Sequence, residues 1–159
     1  YHSQFHQIGV SLKVAKQYLE DYYQTYSGVK EFMERAPDDA SRVGFVTTIL
    51  GRKRYLPDLT NPNKMAQQAA RRIAINTTMQ GSAADLMKLA MINVHSRLKT
   101  EKLPANLILQ VHDELVLEAQ EDHLEAAINL LKFEMEHAYA LSVPLVVDVS
   151  FGQNWDEAH

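Results

Sequence analysis

Apolar residues recur along this chain at two different spacings, and each change of spacing marks an element. Val14, Tyr18, Tyr22 and Tyr26 fall four apart, with Leu19 and Tyr23 beside them, so Ser11 to Arg35 reads as a helix with Ser11 as its N-cap. Ser27-Gly28 predicts a break or bend, with a restart at Val29, and Ala36-Pro37-Asp38-Asp39 predicts a turn or a loop. The tyrosines read as packing residues rather than as a base-stacking platform. Val43 to Leu50 is β-rich and Arg54-Tyr55-Leu56 follows, which predicts a hairpin with Gly51-Arg52-Lys53 at its tip. After a loop from Asp58 to Asn63, Lys64 to Leu98 reads as one long helix, or as two with a bend at Gly81-Ser82. Its apolar face takes in Ile73, Met79, Ala83, Leu86, Met87, Ala90 and Val94. A linker containing Pro104 follows. Glu121 to Leu141 is a further amphipathic helix, with Leu124, Ala127, Ile128, Leu131, Met135 and Ala138 on one side. Pro144 to Phe151 has the β-rich composition of a final strand, and Gly152 to His159 is a tail with the only Trp.

Between the linker and the second amphipathic helix lies the stretch from Leu107 to Glu118, two short apolar runs flanking one packet of His112, Asp113 and Glu114. Asp and Glu are poor strand-interior residues, so the packet fits the bend between two paired strands. That geometry lifts two carboxylates and an imidazole onto the end of a hairpin. Carboxylates held rigidly there suit magnesium, which takes oxygen ligands and keeps waters that a substrate phosphate can displace. Taken alone, the pattern favours a plainer alternative, a solvated turn that happens to be acidic.

These elements predict an α+β fold: a small antiparallel sheet made of the central hairpin and the last strand, packed against long helices, with a second hairpin outside it. The chain has 159 residues, 46% of them hydrophobic, enough for one domain with a core. Cysteine is absent, which excludes disulfides and thiolate metal sites and suits a cytosolic protein. No apolar run approaches the ~20 residues needed to span a bilayer. No signal peptide is visible, but residue 1 is Tyr rather than Met, so a piece of a longer chain is expected.

The net charge of −4 is not that of a nucleic-acid binder, yet it hides an asymmetry. Between Arg52 and Arg72 stand six bases and one acid, whereas from Asp113 to the end there are eleven acids and one base. A basic strip beside an acidic half allows phosphate binding next to cation binding, although ordinary surface charge explains the acidic half as well. The three bases at the hairpin tip fit a phosphate grip and plain solvation equally. On the long helix Arg72, Asn76 and Gln80 are four apart, so successive members step only about 40° around the axis and can face one groove. The DNA minor groove shows acceptors at every A·T pair in either orientation, so donors placed there read pairing geometry more than sequence. A polar helix face is the simpler reading of the same stripe.

Several stretches together resemble the C-terminal part of family A DNA polymerases, the bacterial DNA polymerase I type. They are the helix from Tyr18 to Glu34 with its Tyr26-Ser27-Gly28 break, Thr48 to Asp58, Arg71 to Asp85, Gln110 to Val116, and the ending from Gly152 to His159. They cover nearly the whole chain, in order and with family-like spacing. On that resemblance the chain is the C-terminal portion of a polymerase domain, with about 1–63 as distal fingers helices and basic hairpin and about 64–159 as minor-groove helix and palm. No independent second domain is expected.

The resemblance also implies roles for the matching residues. His112-Asp113-Glu114 looks like the third palm motif, whose Asp is one of two metal-binding aspartates. Asp113 would then bind the catalytic Mg2+, with Mn2+ as a substitute, and Glu114 would support the site. His112 and Gln110 would lie near the primer terminus. Arg72, Asn76 and Gln80 match the helix that contacts the minor groove of the primer–template, and Arg52 and Arg54 would sit near the DNA backbone. The implied partners are primer–template DNA, dNTPs and the remainder of the polymerase chain, in the cytoplasm of a bacterial-type cell and with no membrane.

Departures from the family pattern are as informative. The first palm motif, an Asp-Tyr-Ser-Gln-like stretch that supplies the other catalytic aspartate, is not in this sequence. The fingers helix that grips the triphosphate is also missing, since Tyr1 aligns after it, as are thumb and exonuclease regions. The 159 residues alone are therefore expected not to polymerise DNA, and to self-associate through apolar surface that the parent would cover. Two other readings stand beside this one. A non-catalytic DNA-binding module would use the Arg72 stripe and the basic loop, but would gain nothing from carboxylates next to phosphates. A metal-dependent phosphohydrolase would need more ligands converging on Asp113, and Asp148 is the one candidate.

Overall fold

The computed structural model describes residues 11–158; the unassigned stretch 1–10 and the final His159 lie outside the described residues. The fold is α+β, with small antiparallel sheets and long helices, and it gathers into two compact units. The first holds the described residues up to Thr47 together with Arg52–Thr78, and the second holds Thr48–Gly51 together with the chain from Met79 onward.

In the first unit, helix α1 (Leu12–Thr25) starts where its cap predicts, with the Ser11 hydroxyl accepting from the Val14 amide at 3.4 Å. Tyr26 leaves helical geometry (φ −114°, ψ 60°), and α2 (Ser27–Val43) begins directly after it. The tyrosine face of α1 is not core. Tyr18, Tyr22 and Tyr26 are all exposed, and the Tyr22 ring packs against those of Tyr23 and Tyr26. The turn expected at Ala36-Pro37-Asp38-Asp39 does not form, and α2 runs through it. Proline forfeits one amide donor, but Pro37 is fully buried, and the two acids that suggested a turn are neutralised by neighbours. Arg71 pairs with Asp38 at 2.6 Å, and both Arg35 and Arg42 reach Asp39. Gly44 ends α2 in the left-handed region (φ 82°), where a Cβ is disfavoured, and its amide bonds the Ala40 carbonyl. Val43 therefore closes a helix rather than opening a strand.

Strands β1 (Phe45–Thr47) and β2 (Lys53–Tyr55) pair antiparallel, Phe45 opposite Tyr55, Val46 opposite Arg54 and Thr47 opposite Lys53. Lys53 is thus a strand residue and not part of the tip. A 3-10 turn (Pro57–Thr60) leads to α3 (Lys64–Glu101), whose first amides are caught by the Asn63 side chain. Ala40, Val46, Leu56, Leu59, Ala70 and Ala74 form this unit's core.

Helix α3 is continuous through Gly81-Ser82. Its buried line in the second unit is Ala90, Val94 and Leu98, whereas Met79 and Ala83 are exposed instead of joining the apolar face. A buried carboxylate, Asp85, accepts from the Thr48 hydroxyl at 2.5 Å, and Ser82 Oγ accepts from the Ile49 amide at 2.9 Å. Strands β3 (Ala105–Val111) and β4 (Glu114–Ala119) pair antiparallel with an irregularity between Leu107 and Leu109. A 3-10 turn (Glu121–His123) and α4 (Leu124–Glu136) follow, and Ala127, Leu130 and Leu131 close the core against Val94, Leu98 and Leu115. Helix α4 stops at Glu136 rather than Leu141, its end tightened by an Ala138 amide that bonds Met135 three residues back. Arg97 reaches from α3 to Glu101 (2.6 Å) and Glu134 (3.0 Å), and these bonds, Glu101's first, raise its pKa further.

The segment Pro144 to Phe151 is not a strand, and the central sheet has two strands rather than three. Its burial nevertheless alternates: Leu145, Val147 and Val149 are half-buried, while Val146, Asp148 and Ser150 are exposed. The Val147 amide bonds Glu136 Oε1 at 3.1 Å, so the side chain of a helix residue takes the donor that a ladder would have used. A short helix α5 (Trp155–Ala158) closes the described chain, with Asn154 Oδ1 accepting from the Glu157 amide.

Candidate active site and nucleic-acid interface

Val111 opposes Glu114, so β3 and β4 are joined by just two residues, His112 and Asp113. His112 has φ 50°. A positive φ at the first residue of a two-residue loop matches the turn to the twist of its strands, and histidine enters that region more readily than β-branched residues do. Gln110 Nε2 donates to the His112 carbonyl at 2.6 Å, clipping the strand end to the turn. Leu115, opposite Gln110, is a core residue, so the turn stands on packed structure. Gln110, His112, Asp113 and Glu114 are all exposed.

The turn therefore brings together the four residues singled out in this stretch. Asp113 offers carboxylate oxygens, the donor type magnesium takes. Among the described residues no group of three or more His, Cys, Asp or Glu is placed to hold a metal ion. The carboxylate chemistry of Asp113 fits such an ion. Asp148 lies on the exposed side of the extended segment before α5.

In the first unit, Arg72 and Asn76 are exposed one turn apart on α3. Arg54 lies on the hairpin face turned to that helix, and its Nη1 donates to the buried Thr77 hydroxyl at 3.1 Å. Arg52, directly after the tip glycine, is exposed. Gln80, the third member of the stripe, is an exposed residue of the second unit's part of α3.

Two polar residues escaped the sequence reading, Thr77 and Asp85. Thr77 sits seven residues after buried Ala70, in the core line of α3. A polar residue at core spacing was the signal that could have marked it.

This architecture has close counterparts. The family model for DNA polymerase family A matches residues 3–157. The chain is 46% identical to DNA polymerase I of Bacillus caldotenax over 151 residues, covering 95% of this chain and 17% of that one. It is 48% identical to DNA polymerase I of Pseudomonas aeruginosa over 153 residues, covering 96% of this chain and again 17% of the relative. Among solved structures, the POL domain of Pol1 from M. smegmatis in complex with DNA primer-template and dNTP superposes with a TM-score of 0.91 at 41% identity, covering 96% of this chain and 27% of that one. The chain thus spans less than a fifth of these curated relatives. A match over nearly its whole length, in sequence and in fold, places it in DNA polymerase family A.

Proposed function

We propose that the protein carrying this chain is a DNA-directed DNA polymerase, a nucleotidyltransferase that adds dNTPs to a primer 3′-hydroxyl in DNA replication and repair. The observation that carries the reading is the exposed Asp113 carboxylate on a two-residue turn in a chain of this family. A binding module without catalysis would place that carboxylate against phosphates at a repulsive cost. The solved relative, bound to primer-template and dNTP, supports the same partners here.

In this reading Asp113 would hold magnesium, Glu114 would support it, and the remaining carboxylate would come from a first palm motif in the longer protein that carries this chain. Asp113 would hold such ions together with that second carboxylate, and they would supply activation of the attacking hydroxyl and neutralisation of the pyrophosphate leaving group. The other residues position. Gln110 and His112 face the primer terminus, with Gln110 fixed by its bond to the turn. Arg72, Asn76 and Gln80 donate to minor-groove acceptors, which lie in the same places for A·T and T·A pairs, so correct geometry is rewarded whichever way an A·T pair is oriented. Arg52 and Arg54 neutralise backbone phosphates. The assignment of about 1–63 to distal fingers and about 64–159 to minor-groove helix and palm belongs to the same proposal, as does a bacterial cytoplasmic setting near the nucleoid. With one metal aspartate and no triphosphate-gripping helix, the 159 residues alone do not extend primers.

The test is template-directed incorporation by the full-length polymerase. Asp113→Glu moves the carboxylate by one methylene, and the magnesium concentration at half-maximal rate rises. Incorporation that ignores the template, or that persists after divalent cations are removed, contradicts the proposal.

A further inference from the structure

The outward face of the β1–β2 hairpin is not used by the proposed function. Side chains alternate across a strand, so the register puts Val46 and Arg54 on one face, the first buried and the second bonded to Thr77. Phe45, Thr47, Lys53 and Tyr55 share the other. There the Phe45 and Tyr55 rings stand 5.7 Å apart at 62°, and the Lys53 ammonium lies 4.5 Å over the Phe45 ring. Cross-strand packing accounts for Phe45, which is half-buried. It accounts less well for Tyr55, a residue left 70% exposed. Charge of one sign stands beside the ring, since Lys53 on this face follows the exposed Arg52.

An exposed ring beside fixed cations is the arrangement that holds single-stranded nucleic acid, because every base has a π-face and every linkage a phosphate. A protein partner would need apolar area, and this two-stranded face offers one open ring.

We propose that Tyr55, steadied by Phe45, is a stacking platform for one base of single-stranded nucleic acid, with Lys53 on its phosphate. The proposal rests on the polymerase reading, in which that strand is the unpaired template ahead of the primer terminus.

Binding of the full-length polymerase is measured by fluorescence anisotropy on two DNAs, a primer–template with a long single-stranded 5′ template overhang and the same duplex made blunt. Tyr55→Ala weakens binding to the overhang substrate about tenfold and leaves blunt-duplex binding unchanged. Tyr55→Phe, which keeps the ring, restores wild-type affinity, and Lys53→Ala lowers the salt dependence on the overhang substrate by about one phosphate contact. Equal losses on both DNAs would mean that the ring only packs the hairpin, and no loss on either would remove the platform. Duplex binding and primer extension retained by a Tyr55→Ala protein that shows no overhang defect would sink this inference while sparing the polymerase reading. Wild-type protein that binds neither DNA would sink the polymerase reading itself.

Discussion

Arg54 donates a guanidinium N–H to the Thr77 hydroxyl, so a cation of the basic hairpin is fastened to the residue next to Asn76. Thr77 is buried, and its hydroxyl has a use that valine, the same shape without the oxygen, would lack. Thr77→Val is expected to cost about 1 kcal/mol of stability, the worth of an ordinary hydrogen bond, read as a lower urea midpoint. In the polymerase it also frees Arg54, so DNA affinity falls while the helix stays formed by circular dichroism. Unchanged affinity would mean that Arg54 does not meet DNA.

Asp85 makes a second fastening, through the Thr48 hydroxyl, with Ser82 holding the Ile49 amide one turn earlier. Removing a buried acceptor leaves its donor unsatisfied. Asp85→Ala is therefore expected to destabilise by about 2–3 kcal/mol, whereas Asp85→Asn, which keeps an accepting oxygen, costs less. Equal losses for the two in denaturant melts would show that charge, not the hydrogen bond, matters there.

The turn at His112 separates stability from chemistry. Its φ of 50° suits glycine and tolerates histidine, but strains a β-branched side chain. His112→Val is expected to lose about 1–2 kcal/mol by thermal melt, and His112→Gly little. If His112 also serves the primer terminus, His112→Gly keeps the fold and slows primer extension. Two variants equally slow and equally stable would contradict the strain argument.

How far the sequence could be read depends on which forces are local. The two-residue turn was legible because His112-Asp113-Glu114 interrupts two apolar runs, and acids resist strand interiors. Ser11 capped the first helix as its type predicts. Pro37 misled because the rule for proline weighs one lost hydrogen bond and cannot see the packing that covers its ring, nor the arginines that neutralise Asp38 and Asp39. β-Propensity puts Val43 in a strand, but the left-handed cap at Gly44 decides that it ends a helix. For the segment before α5 a β-rich composition predicts a paired strand, but no ladder forms, since a ladder needs a neighbour that sequence does not name. The site divides the same way. The exposed His112-Asp113 turn could be read from residue types, while the buried hydrogen bonds of Thr77 and Asp85 emerge only from tertiary contact.

The α3 stripe carries a prediction about discrimination. In the polymerase, Asn76→Ala and Gln80→Ala each remove one donor from the minor groove, worth about 1 kcal/mol and so about fivefold in kcat/KM for a matched terminus. A mismatched terminus, which already misplaces the acceptors, loses less, so the matched-to-mismatched ratio narrows. Arg72→Ala removes a charged donor from the same groove and costs more, about 1.5–3 kcal/mol. An unchanged ratio in single-turnover extension would take the stripe off the DNA.

Whether Asp113 carries a catalytic metal is decided by primer extension with magnesium, comparing the full-length polymerase as wild type and as Asp113→Ala. The rate is expected to fall by several orders of magnitude with DNA affinity retained, because the residue lies exposed on its turn and the fold does not depend on it. Near-normal extension by Asp113→Ala would contradict that expectation and leave the turn a structural feature of the hairpin.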